Sequence, residues 1–146
     1  MADFEPIIVA FACHYCAYTA ADMAGTQRLT YPANVKIVKV PCTGKVDTLH
    51  IMRALQKGAD GVLVAGCIKG DCHFKNGNLR AEKRVEYVQS LLEDIGVGGE
   101  RAHMVFMTAG QGKIFAEEAA VFTEKVRQLG PNPIKDGAKS AAKKAA

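Results

Sequence analysis

The 146-residue chain contains no apolar run near the ~20 residues that a membrane-spanning helix requires. Its amino-terminal apolar stretch, residues 6–13, follows the acidic Asp3 and Glu5. A secretory leader would instead want a basic start and a small-residue cleavage site. No membrane partner is expected, and the chain reads as cytoplasmic. Nucleotide loops are also missing, with neither G-x-G-x-x-G nor G-x-x-x-x-G-K-[ST] in the sequence. Gly110-Gln111-Gly112-Lys113 therefore reads as a tight turn between a strand and a helix. There is no paired-carboxylate or Ser/His/Asp arrangement, and Asp22, Asp47 and Asp71 read as caps or loop anchors. The body of the chain lacks net charge as well. Of the formal +4, residues 135–146 hold four Lys and one Asp, leaving +1 for the remainder. Nucleic-acid binding would need basic residues massed on one folded face, so no nucleic-acid partner is expected.

Cysteine is what the sequence does have, in five copies. A reducing compartment disfavours structural disulfides, and an odd number cannot pair off, so clustered thiols there point to metal or redox chemistry.

Strand-like and helix-like segments alternate along the chain. Residues 6–12 and 60–66 are apolar runs suited to strands buried on both faces, residues 35–40 alternate Val or Ile with Lys, and residues 103–107 make a fourth strand. Helical spacing appears at Ile51, Met52 and Leu55, at Val85, Val88, Leu91, Leu92 and Ile95, and at Phe115, Ala119, Phe122, Val126 and Leu129. Gly58, Gly96 and Gly130 follow these patterns as stops. Residues 17–29 form an Ala-rich segment expected to be a fourth helix. Such alternation predicts an α/β fold, a single flavodoxin-like or Rossmann-like domain. Its parallel sheet would have four to five strands, with helices on both faces. Residues 1–134 make up that domain, and residues 135–146 are expected to be a mobile Lys/Ala-rich tail.

On this frame the cysteines share a location. Cys13 closes the first strand and Cys16 opens the next helix, Cys42 follows the second strand, Cys67 ends the third, and Cys72 lies in the loop beyond. Strand carboxyl ends of a parallel sheet lie along one edge, where ligands collect. Four thiolates there suit an iron–sulfur cluster or zinc, and C-x-x-C also suits a thiol–disulfide oxidoreductase. A structural zinc stabilises domains too small to build a core; this core suffices, which favours a redox cluster. A zinc-stabilised interaction module stays open as the alternative. Cys13, Cys16, Cys67 and Cys72 are the expected ligands, with Cys42, alone in sequence, a substitute ligand or a neighbouring thiol.

The runs Cys13-His14-Tyr15-Cys16, Ala21-Asp22-Met23-Ala24-Gly25 and Pro41-Cys42-Thr43-Gly44-Lys45-Val46-Asp47 carry a family resemblance. So do Gly58-Ala59-Asp60-Gly61-Val62, then Gly66-Cys67-Ile68-Lys69-Gly70-Asp71-Cys72-His73-Phe74, and Gly77-Asn78. Over about residues 6–130 the chain resembles the delta subunit of methyl-viologen-reducing hydrogenase, the small iron–sulfur partner of heterodisulfide reductase. The resemblance implies a [2Fe-2S] cluster. It also implies a non-catalytic electron-transfer role in an electron-bifurcating complex. There the chain would link a hydrogenase or formate dehydrogenase subunit to the flavin-containing heterodisulfide reductase subunit.

His14 and His73 adjoin cysteines, but thiols are ample and hydrogen bonding suits these imidazoles better; His50 and His103 read as structural. Lys45, Lys69, Lys75, Arg80, Lys83 and Arg84 cluster in the same loops. They could raise an anionic cluster's potential or dock an acidic partner face, unless they simply solvate a helix start.

Overall fold

The computed structural model describes residues 4–135; the expected tail, Lys135 apart, lies outside the described residues. Four strands, β1 (Ile8–Cys13), β2 (Val35–Val40), β3 (Gly61–Cys67) and β4 (Ala102–Met107), form one all-parallel sheet in the order β2-β1-β3-β4. That order matches the first four strands of the flavodoxin-like arrangement. Register aligns Cys13 with Val40 and Cys67 with Met107, so the carboxyl ends of all four strands finish on one edge.

Four α-helices cover the two faces: α1 (Ala17–Thr26), α2 (Thr48–Gln56), α3 (Gly77–Asp94) and α4 (Gly112–Leu129). Helices α1 and α4 pack on one face through Ala17, Ala20, Phe115, Ala119, Phe122 and Val126. On the other face α2 and α3 bury Ile51, Leu55, Ala81, Val85, Val88 and Leu92. The β1-to-β2 step runs one way across the sheet and β2 to β3 the other, so right-handed crossovers put α1 and α2 on opposite faces. All seven residues of β3 are buried, as expected of a central strand. No described helix is long and apolar enough to cross a membrane.

The helix stops fall where glycine was expected: Gly58, Gly96 and Gly130 have φ of 125°, 77° and 80°, the left-handed region that glycine enters without strain. α1 is shorter than the sequence suggests. It ends at Thr26 rather than Leu29, because Arg28 turns to φ 56° and Leu29 N donates back to Ala24 O at 2.8 Å.

The edge opposite the thiols holds a buried polar knot. Asp60 Oδ1 accepts Asn132 N at 3.0 Å, and Oδ2 accepts Ile7 N at 2.9 Å and Lys135 Nζ at 3.4 Å. Arg101 donates to the carbonyls of Val97, Asp60, Leu129 and Pro131. Asn132 Nδ2 donates to Leu55 O and Ala59 O. These contacts close the segment after α4 onto the base of the sheet.

Candidate metal centre

Strand order reverses between β1 and β3, and ligands of open α/β sheets collect above such a switch point. Cys13 and Cys67 end those two strands with their Sγ atoms 3.8 Å apart. Cys16 takes the N-cap position of α1, and its N–H donates to Cys13 O at 3.3 Å, folding the turn back on itself. The sulfurs of Cys13, Cys16 and Cys67 lie within 4.8 Å of one another, all three buried.

Cys42 and Cys72 form a second group, Sγ to Sγ 4.0 Å. Cys42, isolated in sequence, is therefore not isolated in the fold. A 3₁₀ turn, Thr43–Lys45, carries the chain from β2 over the sheet edge toward the start of α3. The absence of side chains at Gly66, Gly44 and Gly77 makes room for that crossing. A Cβ at Gly66 would lie 2.9 Å from Thr43 Oγ1, and one at Gly44 would lie 2.9 Å from the Cα of Gly77. A Cβ at Gly77 would collide with Cys42 Sγ. Arg84 Nη1 fastens the turn from α3, donating to Gly44 O at 2.6 Å and Val46 O at 3.1 Å. It is thus committed to the site and does not merely solvate a helix start.

The loop carrying Cys67 and Cys72 is held by Asn78, fully buried, whose Nδ2 donates to Cys67 O at 2.8 Å and Ile68 O at 3.0 Å. Reading the residues singly misses Asn78, because a polar residue at a helix start is ordinary until the loop closes over it. Asp47 and His50 stay structural, Asp47 Oδ1 accepting Thr48 N at 2.8 Å and His50 Nδ1 accepting Asp47 N at 2.9 Å at the start of α2. Gly110 and Gln111 make the expected tight turn, closed by Thr108 N donating to Gln111 Oε1 at 2.8 Å.

Electrostatics differ among the thiols. The neighbouring Cys16 side chain holds the Cys13 thiol down from 9.0 to about 5 against the cost of burial, aided by the N–H of Tyr15 and by Cys67. Cys16 is pushed up correspondingly by the adjacent Cys13 thiol, by burial and by Cys67. Burial raises Cys67 and Cys42, and the neighbouring thiols Cys13 and Cys72 add to it at Cys42. Burial also pushes against ionisation at Cys72, but the N–H groups of Asn78, Phe74 and Gly77 together outweigh it and leave that thiol below 9.0. Backbone donors thus already point at sulfur, as an anionic centre needs.

Two thiolates on one tetrahedral metal at ~2.3 Å stand ~3.8 Å apart. The Cys13/Cys67 and Cys42/Cys72 separations each fit that bite, so the donor set suits a centre with two metal ions. His14 and His73 are exposed; the His73 ring stacks on Tyr15 with centroids 4.0 Å apart, and it is its backbone N–H that reaches Cys67.

Comparison with known proteins shows the family. The family model for methyl-viologen-reducing hydrogenase, delta subunit, matches residues 8–130, which include all five cysteines. The D-type iron–sulfur subunit of the F420-non-reducing hydrogenase vhu of Methanocaldococcus jannaschii is 49% identical over 131 residues, 90% of this chain and 98% of its own. Its counterpart in the F420-non-reducing hydrogenase of Archaeoglobus profundus is 46% identical over 129 residues, 88% and 94% of the two chains. A 34% match over 126 residues, 86% of this chain, covers only 16% of the A-type subunit of the ferredoxin:CoB-CoM heterodisulfide reductase of Methanosarcina mazei. The chain belongs to the methyl-viologen-reducing hydrogenase delta-subunit family.

Proposed function

We propose that this chain is a non-catalytic electron-transfer subunit carrying a [2Fe-2S] cluster in a cytoplasmic complex. The observation that carries the reading is the pair of sulfur separations, 3.8 Å and 4.0 Å, each suited to one tetrahedral iron. Cys42 and Cys72 would hold one iron, and two of Cys13, Cys16 and Cys67 the other. When bound, such a cluster accepts and returns one electron at a time. The thiol pairs fix its place, and the surrounding N–H groups stabilise negative charge on sulfur. The Asn78 clamp keeps the Cys67–Cys72 loop in position across both charge states.

The partners follow the relatives. The D-type iron–sulfur subunits of F420-non-reducing hydrogenases are alike over nearly their whole length, which supports a hydrogenase subunit as donor; a formate dehydrogenase subunit in that place rests on the family resemblance alone. The counterpart within an A-type heterodisulfide reductase chain supports a heterodisulfide reductase subunit as acceptor; that this subunit contains flavin and bifurcates electrons rests on the family resemblance alone.

The test is single replacement of each cysteine by serine in the full chain, purified anaerobically, with iron, acid-labile sulfide and the reduced-state paramagnetic resonance spectrum measured. Cys42→Ser and Cys72→Ser should each lose most of the iron. Cys13→Ser, Cys16→Ser and Cys67→Ser should keep more, because a third thiol stands beside each pair. Zinc without sulfide in the parent protein would make the chain an interaction module instead. Full iron in every variant would remove the ligand assignment.

A further inference from the structure

The thiol edge is open from two sides of different character. A cavity of about 550 Å³ reaches Cys42 between the 3₁₀ turn and the start of α3, lined among others by Lys45, Phe74, Gly77, Arg80 and Arg84. A second, of about 380 Å³, reaches Cys16 and Cys67 beside the β4–α4 loop. Its only charged lining residue is Asp71, with His73 beside it. The exposed Tyr15, His73 and Phe74 form one aromatic group near both, with Tyr15 and Phe74 edge to face at 5.9 Å.

The first opening is net basic, with Lys45, Arg80 and Arg84 against the single carboxylate of Asp47. Among the described residues, neither Lys45 nor Arg80 makes an ion pair, while Lys69 and Lys113 are engaged by Glu82 and Glu117. The one acid lining it, Asp47, caps α2 and offsets one of the three positive charges. Phe74, 51% exposed, stands at its edge, and Lys75, also exposed, follows Phe74 in the chain. An exposed aromatic beside unpaired Arg and Lys is the composition of an interface hot spot. Unmatched positive charge in a cleft steers an oppositely charged surface into contact.

We propose that the cleft beside Cys42 docks a carboxylate-rich surface of the A-type heterodisulfide reductase partner, and that electrons cross there through the Cys42/Cys72 side of the centre. This rests on the cluster reading above. Lys45 and Arg80 meet Asp or Glu side chains of the partner, and Phe74 packs between them. The second opening lacks this charge, so a partner engaging the Cys16/Cys67 side does not share the dependence. The two sides are then distinct ports of one relay.

The experiment uses the full chain purified together with the A-type heterodisulfide reductase protein of its own complex. A carbodiimide, which joins an amine to a carboxylate in direct contact, is applied at low salt and the linked peptides are sequenced by mass spectrometry. Links from Lys45 or Lys75 to Asp or Glu of the partner are expected. The double variant Lys45→Glu/Arg80→Glu should keep its iron and sulfide yet pass electrons to that partner about tenfold more slowly at low salt. Links arising only from remote lysines such as Lys57 or Lys125, or an unchanged rate in a variant that keeps its iron, would overturn the proposal. The cross-link is read on the unsubstituted complex, so it decides even if the double variant fails to fold. Absence of iron and sulfide from the parent protein would instead remove the cluster reading, and the cross-link pattern reports separately on the cleft.

Discussion

His103 shows how a single residue ties stability to acidity. Its ring stacks on Phe122 with centroids 5.8 Å apart, and burial, only partly offset by Glu118, lowers its pKa below 6.5. The unfolded chain therefore takes up a proton at this position before the folded protein does. The corresponding stability is full above pH 6.5 and is lost as pH falls through the lower, folded value. His103→Phe should flatten the loss of stability below pH 6.5, measured by urea denaturation at stepped pH. Gly77 makes a second residue-scale case. Since a Cβ there collides with Cys42 Sγ, Gly77→Ala should lower iron content severely while the circular dichroism of the fold persists. Gly25→Ala, with open space around the site, should leave iron unchanged.

Among the elements, strands and helices were legible because burial alone dictates their patterns. The seven-residue apolar run of β3 lies central and fully buried, and β2, with its alternating Lys residues, lies at an edge. The placement of Cys13, Cys16 and Cys67 was equally legible, since each sits at or next to a strand end. The partnership of Cys42 with Cys72 was not. It depends on the turn after β2 passing over the sheet toward α3, and on Gly44 and Gly77 touching backbone to backbone, neither of which any local pattern encodes. The roles of Asn78 and Arg84 were hidden for the same reason, as both bond carbonyls of loops distant in sequence. Asn78→Ala would strip donors from the buried Cys67 carbonyl and the part-buried Ile68 carbonyl and cost about 1–3 kcal/mol. It should also shift the midpoint potential of the bound centre, read by redox titration, whereas a distant destabilising change should not.

For the whole molecule, the chemistry and the fastening occupy opposite edges of the sheet. Asp60, fully buried, holds Ile7, Asn132 and Lys135 at the far edge from the thiols. Asp60→Ala should lower stability by about 3–5 kcal/mol, because it leaves buried donors and a cation without their partner. The spectrum of the loaded centre should not move in the fraction that remains folded. The thiols, in turn, come from the carboxyl ends of β1, β2 and β3 and the loops beyond them, and no one of these supplies either sulfur pair. Under the proposed ligand set a half-folded chain offers no complete cage, so iron content should follow folding of the chain rather than precede it. Once inserted, the inorganic core would act as a clasp across three crossovers at once, slowing the opening of the sheet.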